Sequence, residues 1–115
     1  RMADSLIAEK NITENIVIST TGSPALLQEL LNGLRKTHFT QAAFIVIDDG
    51  NKLHLGAFCG EEGKRNGHGA GTLIQKLGPI AGGKGGGKPD MARGAASDRD
   101  KISELATAAK TELGL

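Results

Sequence analysis

The sequence predicts an α/β domain: a mixed β-sheet with a central hairpin, and helices packed on the sheet. Three observations lead there. Ile16-Val17-Ile18 and Ala42–Ile47 are β-branched or wholly apolar runs of strand length. Between them Leu27, Leu30, Leu31 and Leu34 fall at i, i+3, i+4 and i+7, the stripe of a helix lying against a sheet. After the second run, Asp48-Asp49-Gly50-Asn51 carries hairpin turn chemistry.

Met2, Ala3, Leu6 and Ile7 repeat at helical spacing, so Arg1–Lys10 is expected to end a helix. Residues 1–11 are then the tail of a helical linker, and 12–115 the globular unit. Ile16–Ile18 opens the sheet. Ser23-Pro24 sets a capping residue before a proline at the first helical position, and the leucine stripe follows. Ala42–Ile47 has no polar position, so both its faces are expected to be covered. The turn delivers a strand over Lys52–Cys59, in which Leu53, Leu55 and Ala57 alternate with His54, Gly56 and Phe58. Gly60–Gly69 is a glycine-punctuated connection into a helix over Ala70–Leu77, with Pro79 soon after. A glycine loop at 82–88 comes next, then a short strand near Met91–Ala95. Ser97-Asp98 is expected to cap the last helix, where Ile102, Leu105, Ala106, Ala109 and Leu113 share one face.

At 115 residues the chain supports one core, not two. Hydrophobic content of 38% with 23% charged residues is that of a folded domain. No apolar run reaches the roughly 18 residues of a membrane helix. Arg1–Lys10 lacks the apolar segment of a secretory signal, and a chain opening on Arg1 is expected to be a piece of a longer one. The single cysteine forms no internal disulfide, which fits a reducing, cytoplasmic setting. Cys59 sits in the apolar run Gly56-Ala57-Phe58-Cys59 and is read as a small core residue rather than a nucleophile.

Net charge is only +1, but it is unevenly placed. Residues 64–93 hold Lys64, Arg65, Lys76, Lys84, Lys88 and Arg93 against Asp90 alone, while the rest of the chain is acidic. That asymmetry suits a phosphate-facing surface. Within it lies Ala81-Gly82-Gly83-Lys84-Gly85-Gly86-Gly87-Lys88-Pro89-Asp90-Met91-Ala92. Glycines give up much backbone freedom on ordering and offer no side chain to pack. A run of them marks close approach of the backbone to something, and the lysines mark that something as anionic. Successive glycine N–H groups can form an anion-binding concavity.

Other chemistries fail on local pattern. Gly82, Gly87 and Lys88 fit G-x-x-x-x-G-K, but Pro89 stands where a magnesium-binding Ser or Thr belongs, and no buried strand precedes the run. Gly67, Gly69 and Gly71 approach the dinucleotide fingerprint, with Thr72 in place of its third glycine. His38, His54 and His68 are widely spaced, and one cysteine makes no metal pair. There is no Gly-x-Ser-x-Gly elbow, and Asp48-Asp49 is better explained as a turn than as a carboxylate pair. With no Trp, no Tyr and three Phe, of which Phe44 and Phe58 look like core, an aromatic stacking platform is not expected. Recognition of a folded RNA's shape and backbone fits better.

The segment Gly82–Ala92 closely resembles the glycine motif near the carboxyl end of bacterial-type alanyl-tRNA synthetases, in the C-Ala or DHHA1 domain. The family pattern G-G-x-G-G-G-[RK]-P-D-[MF]-A-Q is followed by small residues, an acid and a closing helix. That order is kept here through Ser97-Asp98, and the resemblance covers nearly the whole chain. It implies a DHHA1-like fold and a noncatalytic tRNA-binding domain of alanine–tRNA ligase. Such a domain grips the tRNA elbow so that aminoacylation and editing, housed in other domains, cooperate. It also implies no metal and no cofactor in this domain. The implied partners are alanine-specific tRNA and the parent synthetase's other domains, and the fragment is expected to be monomeric or weakly associating.

Carried over by position, Gly82, Gly83, Lys84, Gly85, Gly86, Gly87, Lys88, Pro89 and Asp90 are the implied contacts, with Arg93, Lys64 and Arg65 widening the basic patch. Asp90 could equally cap backbone N–H groups. Arg93 departs from the family's usual Gln, and Gly94-Ala95-Ala96-Ser97 replaces a more glycine-rich stretch. Two other readings stand beside this one. The domain could belong to a phosphoesterase or standalone editing protein, although phosphoesterase versions carry Gly-Gly-Gly-His where Lys88-Pro89 stands here. It could also be a C-Ala domain adapted to DNA or protein.

Overall fold

The structure, a computed structural model, describes residues 15–37, 39–65 and 67–114. The helical tail expected over residues 1–11 lies outside the described residues. Five strands form one mixed sheet in the order β1-β2-β3-β5-β4. β1 (Ile16–Thr21) runs parallel to β2 (Ala42–Asp48), and helix α1 (Pro24–Lys36) supplies the crossover such a pair requires. β2 and β3 (Leu53–Cys59) form the central hairpin. β3 then pairs antiparallel with β5 (Met91–Ala96), and β5 with the outermost strand β4 (Gly83–Gly87).

The pleat sorts the core onto two faces. Phe44, Val46, Leu55 and Ala57 point to one side, under helices α3 (Ala70–Leu77) and α4 (Ile102–Glu112). Ala43, Ile45, Ile47 and Phe58 point to the other, under Leu27, Leu30, Leu31 and Leu34 of α1. Every residue from Ala42 to Ile47 is fully buried, which is why that strand shows no alternation in sequence. Phe39 joins the α1 side against Phe58, ring centroids 6.2 Å apart, so all three phenylalanines are core.

Three expectations need correction. The segment read as a glycine loop is mostly strand β4, because its backbone pairs with β5 along its length. The Gly60–Gly69 connection contains a short helix, α2 (Glu61–Arg65), with acids in its first turn and bases in its last, as the helix dipole favours. Gly63 lets that turn close on the start of β2, since a Cβ there would sit 3.1 Å from the Ala42 nitrogen. Ser97 and Asp98 cap no α-helix with their side chains; a 3₁₀ turn over Arg99–Lys101 intervenes, and α4 starts at Ile102. α3 likewise runs into a 3₁₀ turn, Gly78–Ala81, which holds Pro79. Gly82, at φ +69°, then swings the chain into β4, a conformation glycine adopts without strain.

Candidate nucleic-acid interface

β4 lies at the edge of the sheet with α3 across one of its faces, whereas on the opposite face α1 lies over β2 and β3 and reaches β5 through the cluster that holds Met91 and through the Arg93–Gln28 hydrogen bond. The α1-side face of β4 is therefore open. Register places Lys84 beside Ala95 and Gly86 beside Arg93 on this face. Lys84, Lys88 and Arg93 are all solvent-exposed.

The glycines of β4 divide into two kinds. A Cβ on Gly83 would lie 2.4 Å from the Ala95 carbonyl oxygen, one on Gly85 2.4 Å from Gly94 Cα, and one on Gly87 2.9 Å from Ala92 Cα. α3 demands the same thinness from above: a Cβ on Gly71 would sit 2.7 Å from the Gly87 carbonyl oxygen. These residues are glycine so that strand, strand and helix can close on one another. Gly86 differs, since the nearest atom to a methyl placed there would be Gln75 Nε2 at 3.4 Å, an ordinary contact.

Because β4 is extended, its N–H groups form no concave cluster. The Lys88 N–H donates to the Met91 carbonyl (3.1 Å), which sets the antiparallel alternation. Lys84 and Gly86 then bond to β5, and Gly83, Gly85 and Gly87 turn N–H and C=O together to the free edge. The expected anion-binding concavity of glycine N–H groups is thus replaced by a flat strip. At the tip of the hairpin, the Pro89 and Lys88 carbonyls accept from the Ala70 (2.8 Å) and Gly71 (3.2 Å) N–H groups at the start of α3.

At the Lys88 end, Arg35, Phe58, Lys88, Asp90, Met91 and Arg93 line an open depression of about 460 Å³, together with Gly86, Gly87 and Ala92. Arg93 Nη1 donates to Gln28 Oε1 of α1 (2.7 Å), and Gln28 Nε2 donates in turn to Asn32 Oδ1 (3.0 Å), so the guanidinium is held at the rim. Asp90 enters the backbone network through its carbonyl, which accepts from the Cys59 N–H at 2.9 Å, while its side chain is exposed. At the other end of β4, Lys52 and Lys84 line a second depression with Gly82, Gly83 and Ser97. Pro89 lies in a small cleft against the start of α3 with Gly69, Gly71 and Gln75. Lys64 and Arg65 are exposed on α2 and line neither depression, and Arg65 is paired with Glu62. Sequence reasoning missed Arg35 and Lys52. Nothing in the linear pattern ties either to the glycines; only the seating of α1 and the β2–β3 turn does.

The acidic turn is structural. Asp49 Oδ1 accepts from the Asn51 and Lys52 N–H groups at 2.8 and 2.9 Å, and its Oδ2 lies 2.6 Å from His54 Nε2. These bonds hold its carboxyl well below the ordinary aspartate range, the Lys52 N–H contributing most and His54 next. Asp48 accepts from Arg99 Nε at 2.7 Å, which lowers its own pKa, with the Gly50 N–H assisting. Cys59 is buried, and burial pushes its thiol up to about 11. Among the described residues no group of three or more His, Cys, Asp or Glu could hold a metal ion, and no helix is long and apolar enough to cross a membrane.

Comparison with known proteins bears on the family and the fold. The family model of the DHHA1 domain matches residues 10–114. The chain is 41% identical over 110 residues to the alanine–tRNA ligase of Akkermansia muciniphila, a match covering 94% of this chain and 12% of that protein. It is 38% identical over 63 residues to the alanine–tRNA ligase of a Nocardioides species, covering 55% of this chain and 7% of the relative. The chain thus spans about an eighth or less of the curated relatives it matches. The crystal structure of the C-Ala domain from Aquifex aeolicus alanyl-tRNA synthetase superimposes with a TM-score of 0.71 at 24% identity, covering 88% of this chain and 91% of that one. That likeness concerns the fold.

Proposed function

That this chain belongs to the DHHA1 domain family is the premise from which we propose its function: a noncatalytic tRNA-binding module of an alanine–tRNA ligase. The module grips the elbow of alanine tRNA, so that aminoacylation and editing centres elsewhere in the synthetase work on one bound tRNA. It acts in the cytoplasm beside the parent enzyme's other domains and uses no cofactor of its own. Residues 12–115 are the proposed gripping unit.

One observation carries this reading: Lys84, Lys88 and Arg93 are exposed together on the α1-side face of β4 and β5, with only Gly86 and Ala95 set between them. Exposed cations with small residues between them let a broad rigid surface approach, and they release counterions from phosphates on contact. Phe39, Phe44 and Phe58 are held in the core, so binding to unstacked single strands has no aromatic support. A folded RNA suits the face better.

Titration of the chain with fluorescently labelled alanine tRNA, at low and moderate salt, tests the proposal. A tRNA of the same length that cannot fold its elbow is the control, and random duplex DNA is the competitor. With about three to five phosphate contacts the log–log salt slope should be about −3 to −4. Tighter, salt-sensitive binding to the intact elbow supports the grip. Equal binding to both RNAs, or displacement by duplex DNA at equal concentration, refutes it.

A further inference from the structure

We infer that β4 is a spacer between two cationic seats for RNA phosphates, completed by Arg35 from α1 at one end and by Lys52 from the β2–β3 turn at the other. The inference rests on the tRNA-binding reading and adds residues that neither the glycine motif nor its neighbourhood contains.

The two seats are separate depressions. Lys88, Arg93 and Arg35 line the first, with Asp90 as its one acid. Lys84 and Lys52 line the second, with no acid. Both belong to the same strand, whose four-residue step from Lys84 to Lys88 spans about 14 Å at the rise of an extended chain. Between them lie Gly85, Gly86 and Gly87, which carry no side chain able to reach a ligand. On β4 itself the cations stand at the two ends of the strip, while Arg93 of β5, set beside Gly86 by the register, lines the first depression. That distribution fits two phosphates separated by about the length of the strip, on a ligand stiff enough to hold them apart. It does not fit one compact anion, which would draw the basic groups together.

Each seat is assembled from distant parts of the chain. Arg35 lies in the last turn of α1 and reaches the β5 side of the sheet only because α1 is seated there by its leucines. The Arg93–Gln28 hydrogen bond links that helix directly to β5 and holds the Arg93 guanidinium in the depression that Arg35 also lines. Two forks of donors over an apolar floor of Phe58 and Met91 suit a sugar–phosphate unit, the ribose on the floor and the phosphate between the guanidinium groups. Lys52 is exposed at the hairpin turn, where the Asp49 carboxylate is already engaged by backbone N–H groups and His54.

The test measures salt dependence of binding to folded alanine tRNA by the wild-type chain and by Arg35→Gln, Lys52→Gln and the double variant. Lys110→Gln, which removes an equal charge from exposed α4 on the opposite face, is the control. Each seat variant should make the log–log salt slope shallower by about 1 and the double variant by about 2. Seats so far apart should act additively, the weakening factors multiplying in the double variant. If the wild type binds with the expected slope but neither Arg35→Gln nor Lys52→Gln changes it, the two-seat proposal fails while the tRNA reading stands. An equal change from Lys110→Gln also overturns it, since the effect would then be net charge alone. Absence of tRNA binding by the wild type defeats both readings together.

Discussion

Gly85 and Gly94 face each other across the β4–β5 pair so closely that a Cβ on Gly85 would lie 2.4 Å from the Gly94 Cα. The collision is backbone against backbone, so no rotamer change relieves it. Ile74 of α3 closes the space above, its Cγ2 2.9 Å from that same Cβ position. Replacing a glycine lowers the entropy of the unfolded chain, which alone would stabilise by about 0.4–1 kcal/mol. Overpacking a closed site costs about 1–3 kcal/mol, and the larger effect wins. Gly85→Ala should therefore lower the Tm by several degrees in a thermal melt followed by circular dichroism. A Tm at or above that of the wild type would mean that β4 is not packed beneath α3.

Gly86→Ala should do the opposite to the fold. The first atom its methyl meets is Gln75 Nε2 at 3.4 Å, the end of a flexible side chain. With no clash to offset it, the entropic term of about 0.4–1 kcal/mol leaves the Tm unchanged or slightly raised. The methyl does add bulk at a position that lines the depression of Lys88 and Arg93, and Gly86→Val adds more. Affinity should fall in that order while stability holds. Unchanged affinity in both variants would remove Gly86 from the binding surface.

How much of this was legible in the sequence depends on whether local pattern or tertiary contact decided the element. The leucine stripe of α1 and the apolar Ala42–Ile47 run announced themselves, because each periodicity has one cheap way to bury its side chains. Asp48-Asp49-Gly50-Asn51 was equally plain, since its turn chemistry is local: the Asp49 carboxylate bonds to N–H groups two and three residues on. Gly83–Gly87 misled, because glycine disfavours strands in general and only the proximity of β5 and α3 makes it necessary here. The same contact explains why a motif that looks wholly functional is partly structural. Lys84, Lys88 and Arg93 were legible as basic residues near glycine. Arg35 and Lys52 were not, since their place at the site follows from how α1 and the hairpin turn sit on the sheet.

The lysines of the motif should separate binding from folding. Lys84 and Lys88 are exposed, and neither side chain makes a hydrogen bond or ion pair among the described residues. Lys84→Ala combined with Lys88→Ala should leave the Tm within a degree or two, while the salt slope for tRNA becomes shallower by about 2. Unfolding of the double variant would show that these lysines serve the fold instead.

Asp49 should make the domain sensitive to acid. The Lys52 and Asn51 N–H groups and His54 hold its folded pKa below the ordinary aspartate value of 3.8. A depressed carboxyl stabilises the fold above its unfolded pKa, and that contribution is lost as pH falls through the folded value. Urea unfolding should thus show stability declining below about pH 4. Asp49→Asn keeps the side-chain oxygen as an acceptor for the backbone N–H groups but cannot titrate, so its decline should be shallower. A decline as steep as that of the wild type would place the acid sensitivity elsewhere.

Cys59 should be inert in the folded protein. It is 1% exposed on β3, and burial pushes its thiol up to about 11. The reactive species is the thiolate, which near pH 8 is then only on the order of one part in a thousand. In the unfolded chain, with a thiol pKa of about 8.5, it approaches a quarter. Iodoacetamide should therefore label the native protein more than about a hundredfold more slowly than the urea-unfolded protein, and the native rate should rise with denaturant as the fold opens. A native rate close to the unfolded one would show that the β3 end of the sheet opens readily, and would loosen the Lys88–Asp90 turn as well. The Cys59 N–H donates to the Asp90 carbonyl, so the thiol reports on the strand end that anchors the tip of the β4–β5 hairpin. Addition of tRNA should slow the residual labelling further, because a ligand that binds only the folded state suppresses its opening.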